Sequence, residues 1–239
     1  MRSATIMNRG AFLMSSAMLA GGAPAAAQEI PGGSNVVEGA REFDRAAFTA
    51  AVDRPVRVRQ LYEAVAFRPA IFNNIKNSFN GLQFGFGYPP DAISIVLAPH
   101  GTSAAYCYSD AIWQRYRIGE FLKLTDAQGM PITANVFVAA RAPFDTGASP
   151  DDEAAMYQDR SISMLQRRGL VVLTCHTAVE EQAAGLAAAG FAPPGMSRAE
   201  IAADILRHLI PGAVVVPAMV AAIAVLQASY RYTYLAPQL

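Results

Sequence analysis

Lysine is nearly missing from this sequence. Only Lys76 and Lys123 stand among 19 basic residues, and 19 acidic residues bring the formal charge to zero. The arginines are scattered except for Arg54, Arg57 and Arg59. No basic stripe is available to follow a phosphate backbone, so nucleic acid is excluded as a partner. Cysteine is equally scarce: Cys107 and Cys175 allow one intramolecular disulfide and no disulfide framework. The three histidines, His100, His176 and His208, fall on separate segments without ligand spacing, which argues against a zinc site. There is no Ser-His-Asp elbow, phosphate loop or dinucleotide fingerprint. "FGFG" at 84–87 follows no clear strand and opens no helix, so no cofactor is expected. Long apolar runs are lacking as well. "AVVVPAMVAAIAVL" at 213–226 is short for a bilayer span and is broken by Pro217. It reads as a buried strand running into a buried helix.

What the sequence does have is a core. Its 239 residues are 53% apolar, enough for one sizeable domain with an extension. The first 27 residues have the layout of a secretory signal peptide: Arg2 and Arg9, a short apolar run at 11–20, and small residues before a cut after Ala27. "NRGAFLM" resembles a twin-arginine signal with Gly10 in place of the second arginine. Export to the periplasm is expected by either route, and an oxidising compartment permits a Cys107–Cys175 bond. Residues 28–56 read as an N-terminal arm, and residues 57–239 as one α/β domain with an acidic insertion at 141–153.

Within that domain, strand and helix patterns alternate. "VRVRQLYEAVAF" reads as a strand. Pro69 opens a helix with Ile71, Ile75, Phe79 and Leu82 on one face. "AISIVLA" at 92–98 suits a strand buried on both faces. "AIWQRYRIGEFLKL" reads as one helix, "ITANVFVAA" at 132–140 as a strand, and "AAMYQDRSISMLQRRG" as a helix ended by Gly169. "LVVLT" is the next strand, and a helix follows it. "SRAE" at 197–200 is a capping box, and "AVVVPA", "MVAAIAVLQ" and "YRYTYLA" close the chain as strand, helix and strand. The alternation predicts a three-layer α/β fold, a mostly parallel sheet with helices on both faces. "YRYTY" puts Tyr230, Tyr232 and Tyr234 on one face, in a core or a subunit contact.

Ligands of such sheets sit beyond the carboxyl ends of the strands, where both "LAPHG" and "LTCHT" fall. "TAVE" at 177–180 reads as a capping box with Thr177 as cap, which places Cys175 just ahead of a helix N-terminus. That position favours a thiolate; the other reading is a buried, inert cysteine. His100, at a sharp exit from a central strand, is a candidate to face the site. His176 could orient a ligand or sit exposed as a helix-cap residue. His208 suits a contact with the carboxyl end of its own helix. Asp110, Trp113 and Tyr116 acquire no role from sequence alone.

Four segments in order carry a resemblance: "NNIKNSFNGL", "ISIVLAPHG", "VVLTCHTA" and "IPGAVVVPAMVAAIAVLQASYRYTYL". Together, over roughly residues 57–237, they resemble the DsrE/DsrF-like superfamily, whose small α/β domains include sulfur-relay proteins. The resemblance implies a parallel-dominated sheet and a homo-oligomer, trimer or hexamer. It also implies a persulfide-carrying cysteine at the strand end matched here by Cys175, charged by a sulfane-sulfur donor. His100 or His176 would then be the proton partner. The chain departs from the relay members in its export signal, its arm and insertion, and the lack of a second cysteine near its C-terminus.

Overall fold

The computed structural model describes residues 43–145 and 147–237. The signal peptide expected at 1–27, and residues 28–42 of the arm, lie outside the described residues. A first helix, α1 (Arg45–Val52), is capped by Asp44, whose side chain accepts from the Ala47 amide at 2.9 Å, and it buries Phe48 and Val52. Strand β1 (Val58–Ala64) leads into α2 (Ala70–Asn80), which buries Phe72 together with Ile71, Ile75 and Phe79 of the predicted stripe. Leu82 lies past it, in a widened turn at Gly81–Gly85. Strand β2 (Ile93–Pro99) is buried at every position, as a strand covered on both faces should be.

The rest of the core is built from β3 (Leu170–Cys175), α6 (His176–Ala188), α7 (Arg198–Arg207), β4 (Ala213–Val216), α8 (Met219–Ala228) and β5 (Thr233–Leu235). Three shorter helices come before β3: α3 (Asp110–Arg115), α4 (Ile118–Phe121) and α5 (Ile162–Arg167). The strands form one five-stranded sheet in the order β4-β3-β2-β1-β5, and every pairing is parallel. Helices cover both faces. On one, Tyr62 meets Ser78 of α2 at 2.5 Å; on the other, Tyr232 reaches Ser94 and the carbonyl of Val52 at the end of α1. The fold is therefore the expected three-layer α/β sandwich. Among the described residues, no helix is long and apolar enough to cross a membrane.

Four local expectations fail, each for a visible reason. Residues 132–140 form turns instead of a strand. Asn135, 4% exposed, takes over the segment: its side-chain amide donates to the carbonyls of Tyr106 and Tyr108, and its backbone N–H goes to Asp110. The carbonyls of Phe137 and Val138 then receive the amides of Ile162 and Ser163 at the start of α5, so these two do not serve a ladder. The single helix expected at 111–124 breaks into α3 and α4 at Arg117, which adopts φ 47°. Gly119 lies so close to the carbonyl of Ile132 that a Cβ there would stand 2.0 Å from its oxygen.

The helix expected at 154–169 is shortened to α5. Asp159 draws the preceding chain into a turn, accepting from the amides of Arg141, Ala142 and Ser161. Burial raises the Asp159 carboxyl, but those amides outweigh it and hold it below the ordinary value. Last, α6 starts at His176 with Cys175 as its N-cap residue, so the capping box expected at 177–180 does not form. The Thr177 amide instead donates to the Pro217 carbonyl, and its hydroxyl meets the Cys175 sulfur. By contrast, the box at Ser197 and Glu200 forms in full.

The segment with no assigned role proves to be a lock between helices. Trp113, fully buried, donates its indole N–H to the Ala105 carbonyl at 3.1 Å. Tyr116 and Arg115 both reach Asp204 of α7, at 2.7 and 2.5 Å. His208 adds a contact at 3.2 Å to the same carboxylate and also meets the Asp204 carbonyl, the predicted contact with the end of its helix. Burial pushes the Asp204 carboxyl up, yet the bonds from Arg115 and Tyr116 keep it below the ordinary value.

Candidate functional site

The carboxyl ends of all five parallel strands share one edge of the sheet, where both candidate loops lie. Alternation along the paired ladders puts Tyr234, Glu63 and Cys175 on the same face of that sheet. The edge carries two separate groups.

The first centres on Cys175, the last residue of β3, paired with Val216 at the end of β4. Only Pro217 and Ala218 separate β4 from α8, so the helix folds straight back over the strand tip. Its first residue, Met219, donates its amide to Cys175 Sγ at 3.2 Å, and the Thr177 hydroxyl lies 3.0 Å from the same sulfur. The helix N-terminus whose amide reaches this thiol is therefore that of α8 and not that of α6, which the thiol does not cap. Cys175 is 2% exposed, and a cavity of about 400 Å³ lined by Val216, Pro217, Ala218 and Tyr230 adjoins the turn above it.

Cys107 lies deeper, fully buried, with its thiol directed at the Leu173 carbonyl at 3.4 Å. Burial pushes that thiol up to about 12; the nearby Thr174 hydroxyl offsets this in part, and a charge on Cys175 would add to it. Both thiols are free, so the permitted disulfide is not formed. His176 is not an exposed cap residue. It is 3% exposed and sits 3.6 Å from Glu180 one turn on, because α6 starts with it and packs it inward.

The second group lies at the other end of the edge. His100 leaves β2 in extended conformation and puts its Nε2 2.8 Å from Oε1 of Glu63, near the tip of β1. Tyr234 of β5 donates its hydroxyl to Oε2 of the same carboxylate. That bond raises the Tyr234 hydroxyl above its ordinary value, with smaller contributions from burial and the Glu63 charge. An open cavity of about 660 Å³ is lined by Glu63 and Tyr234 of this trio and by Arg68 and Ile71.

The structure thus brings His100 together with Glu63 and Tyr234, and Cys175 together with Met219 and Thr177. The sequence reading found His100 but missed Glu63 and Tyr234. The one available signal was a carboxylate between buried residues near the end of a strand. Among the described residues, no three His, Cys, Asp or Glu side chains are grouped to hold a metal ion. No protein-family model, curated protein or solved structure matches the chain.

Proposed function

We propose that this chain is a sulfur carrier of the DsrE-like kind, in which Cys175 takes up a sulfane sulfur and holds it as a persulfide. The observation that supports this is the pair of polar contacts to its sulfur: the Met219 amide at the start of α8 donates to it, and the Thr177 hydroxyl lies beside it, able to donate once the thiol has ionised. A helix N-terminus favours negative charge, and both a thiolate and a persulfide carry it there. With thiosulfate as donor, the Cys175 thiol gives its proton to water or to a neighbouring base. The thiolate then attacks the outer sulfur, the bond to sulfite breaks, and sulfite leaves with its electron pair. The product is one added sulfur on Cys175, bearing the charge. At 2% exposure the sulfur meets a donor only when the 217–219 turn opens toward the adjoining cavity. The reading includes export to the periplasm after loss of residues 1–27, and assembly as a trimer or hexamer.

Intact-mass measurement after incubation with thiosulfate or polysulfide tests the proposal. A gain of one sulfur in the wild type and in Cys107→Ser, absent in Cys175→Ser, is expected. A Cys175 that neither gains sulfur nor reacts with an alkylating reagent would sink the idea. The burial of both thiols favours a second reading, a non-catalytic binding or scaffold protein with structural cysteines, and that result would leave it standing.

A further inference from the structure

The strand order β4-β3-β2-β1-β5 runs outward from β1 and then returns past it, so its direction reverses between β1 and β5. Open α/β sheets bind ligands in the crevice beyond the carboxyl ends of the strands at such a reversal. Here that crevice is the cavity of about 660 Å³, a volume within the usual range for small-molecule sites. Its wall carries two opposite charges: Glu63 at the end of β1 and Arg68 just before α2. Among the described residues, no ion pair joins them.

Glu63 is instead held by His100 on one oxygen and Tyr234 on the other. Each carboxylate oxygen retains a second lone pair, so this oriented carboxylate can accept a further donor from the cavity. Arg68 is exposed beside the amino end of α2 and offers the planar fork that matches a carboxylate. Val65, Ile71 and Pro237 supply apolar wall for a short side chain.

We propose that this cleft binds a small hydroxy or amino acid. The ligand's carboxylate lies on Arg68 and its hydroxyl or ammonium group donates to Glu63, while His100 and Tyr234 fix the acceptor's direction. The proposal goes beyond the sulfur-carrier reading and does not depend on Cys175.

Calorimetric titration of the full chain with L-lactate and L-alanine tests it, with propionate as a carboxylate lacking the donor and inorganic phosphate as a bare oxyanion. Lactate or alanine should bind saturably and about tenfold or more tighter than propionate or phosphate, the worth of one charge-assisted hydrogen bond. Arg68→Ala, at an exposed position, should weaken that binding by a similar factor. Glu63→Gln should bring it close to the propionate level, and Cys175→Ser should leave it unchanged. Absence of saturable binding, equal binding of all four probes, tighter binding of phosphate, or binding unmoved by Arg68→Ala would each overturn the proposal.

Discussion

Two ends of one sheet edge differ in what the chain does after leaving the strand. At the β3–β4 end, α6 begins at the residue after Cys175, and α8 begins three residues after Val216. The helix starts close over the strand tips, point amide donors at them, and leave Cys175 2% exposed. At the β1–β5 end, the five residues 65–69 separate β1 from α2, and Val65, Ala66 and Arg68 among them are exposed. The result is an open cavity beside a carboxylate that is 15% exposed. Both tips carry reactive groups on the same face of the same sheet. Loop length decides which is sealed and which is open, and so which can meet a ligand without the protein moving.

The largest test of that difference is thiol protection. Cys107, beneath the sealed end, is fully buried with its thiol pushed up to about 12. The neutral form is the one the fold favours, so its contribution to stability is complete below the ordinary thiol range and is lost progressively as pH rises from that range through about 12. Labelling then requires near-global opening, and Cys107 should react at least about a thousandfold more slowly than in the unfolded chain. A cysteine placed at the open end by Val65→Cys, where the native residue is 53% exposed, should react almost as fast as in the unfolded chain. Peptide mapping after timed alkylation reads both rates, and equal protection would erase the distinction between the ends.

Packing gives the next largest contrast. Leu173, fully buried two residues before Cys175, should cost about 2–5 kcal/mol on change to Ala, from lost burial and the remaining cavity. Val65→Ala at the open end should stay within about 0.5 kcal/mol. Urea unfolding midpoints measure both.

Gly101 ties the ends together. Its carbonyl accepts from Gln182 of α6, and a Cβ at its φ of +57° would stand 2.9 Å from the Val65 carbonyl oxygen. Gly101→Ala should therefore cost about 1–3 kcal/mol, from left-handed strain and the forced separation. It should also move the neighbouring His100 imidazole resonance, whereas a purely local cost would leave that signal in place.

What could be read in the sequence follows from how local each feature is. The run 92–98 announced a doubly covered strand because it is apolar on both alternating faces, with the small Ser94 as its one polar residue. Ser197 and Glu200 announced their cap because both partners lie within one turn. The failure at 132–140 has a non-local source: its alternation suits a strand, but Asn135 finds carbonyl partners 27 and 29 residues away that outcompete a ladder. The site divides in the same way. Cys175 and His100 stood out because strand ends are legible from a single segment. Glu63 with Tyr234 was hidden, since the two are 171 residues apart and meet only because β5 returns to the side of β1. The donor on Cys175 was hidden too, because Met219 belongs to a helix 44 residues on.

The smallest expected effect is at Tyr234. Its hydroxyl donates to Glu63 at the open end, and the residue is 42% exposed, so water screens most of what the bond contributes. Tyr234→Phe should cost no more than about 0.5 kcal/mol at neutral pH, the scale of an exposed polar contact. The pH dependence carries more information than the magnitude. Because the folded protein holds this hydroxyl above its ordinary value, the bond's contribution is complete below the ordinary tyrosine range and disappears as pH rises through the folded value. The wild type should therefore lose its small advantage over Tyr234→Phe in alkaline solution, and the two unfolding midpoints should converge there. Ultraviolet difference titration should show one late-ionising tyrosine missing from the variant. If the midpoints stay equally spaced at every pH, the Tyr234–Glu63 bond does not form in solution, and the open end is held by His100 alone.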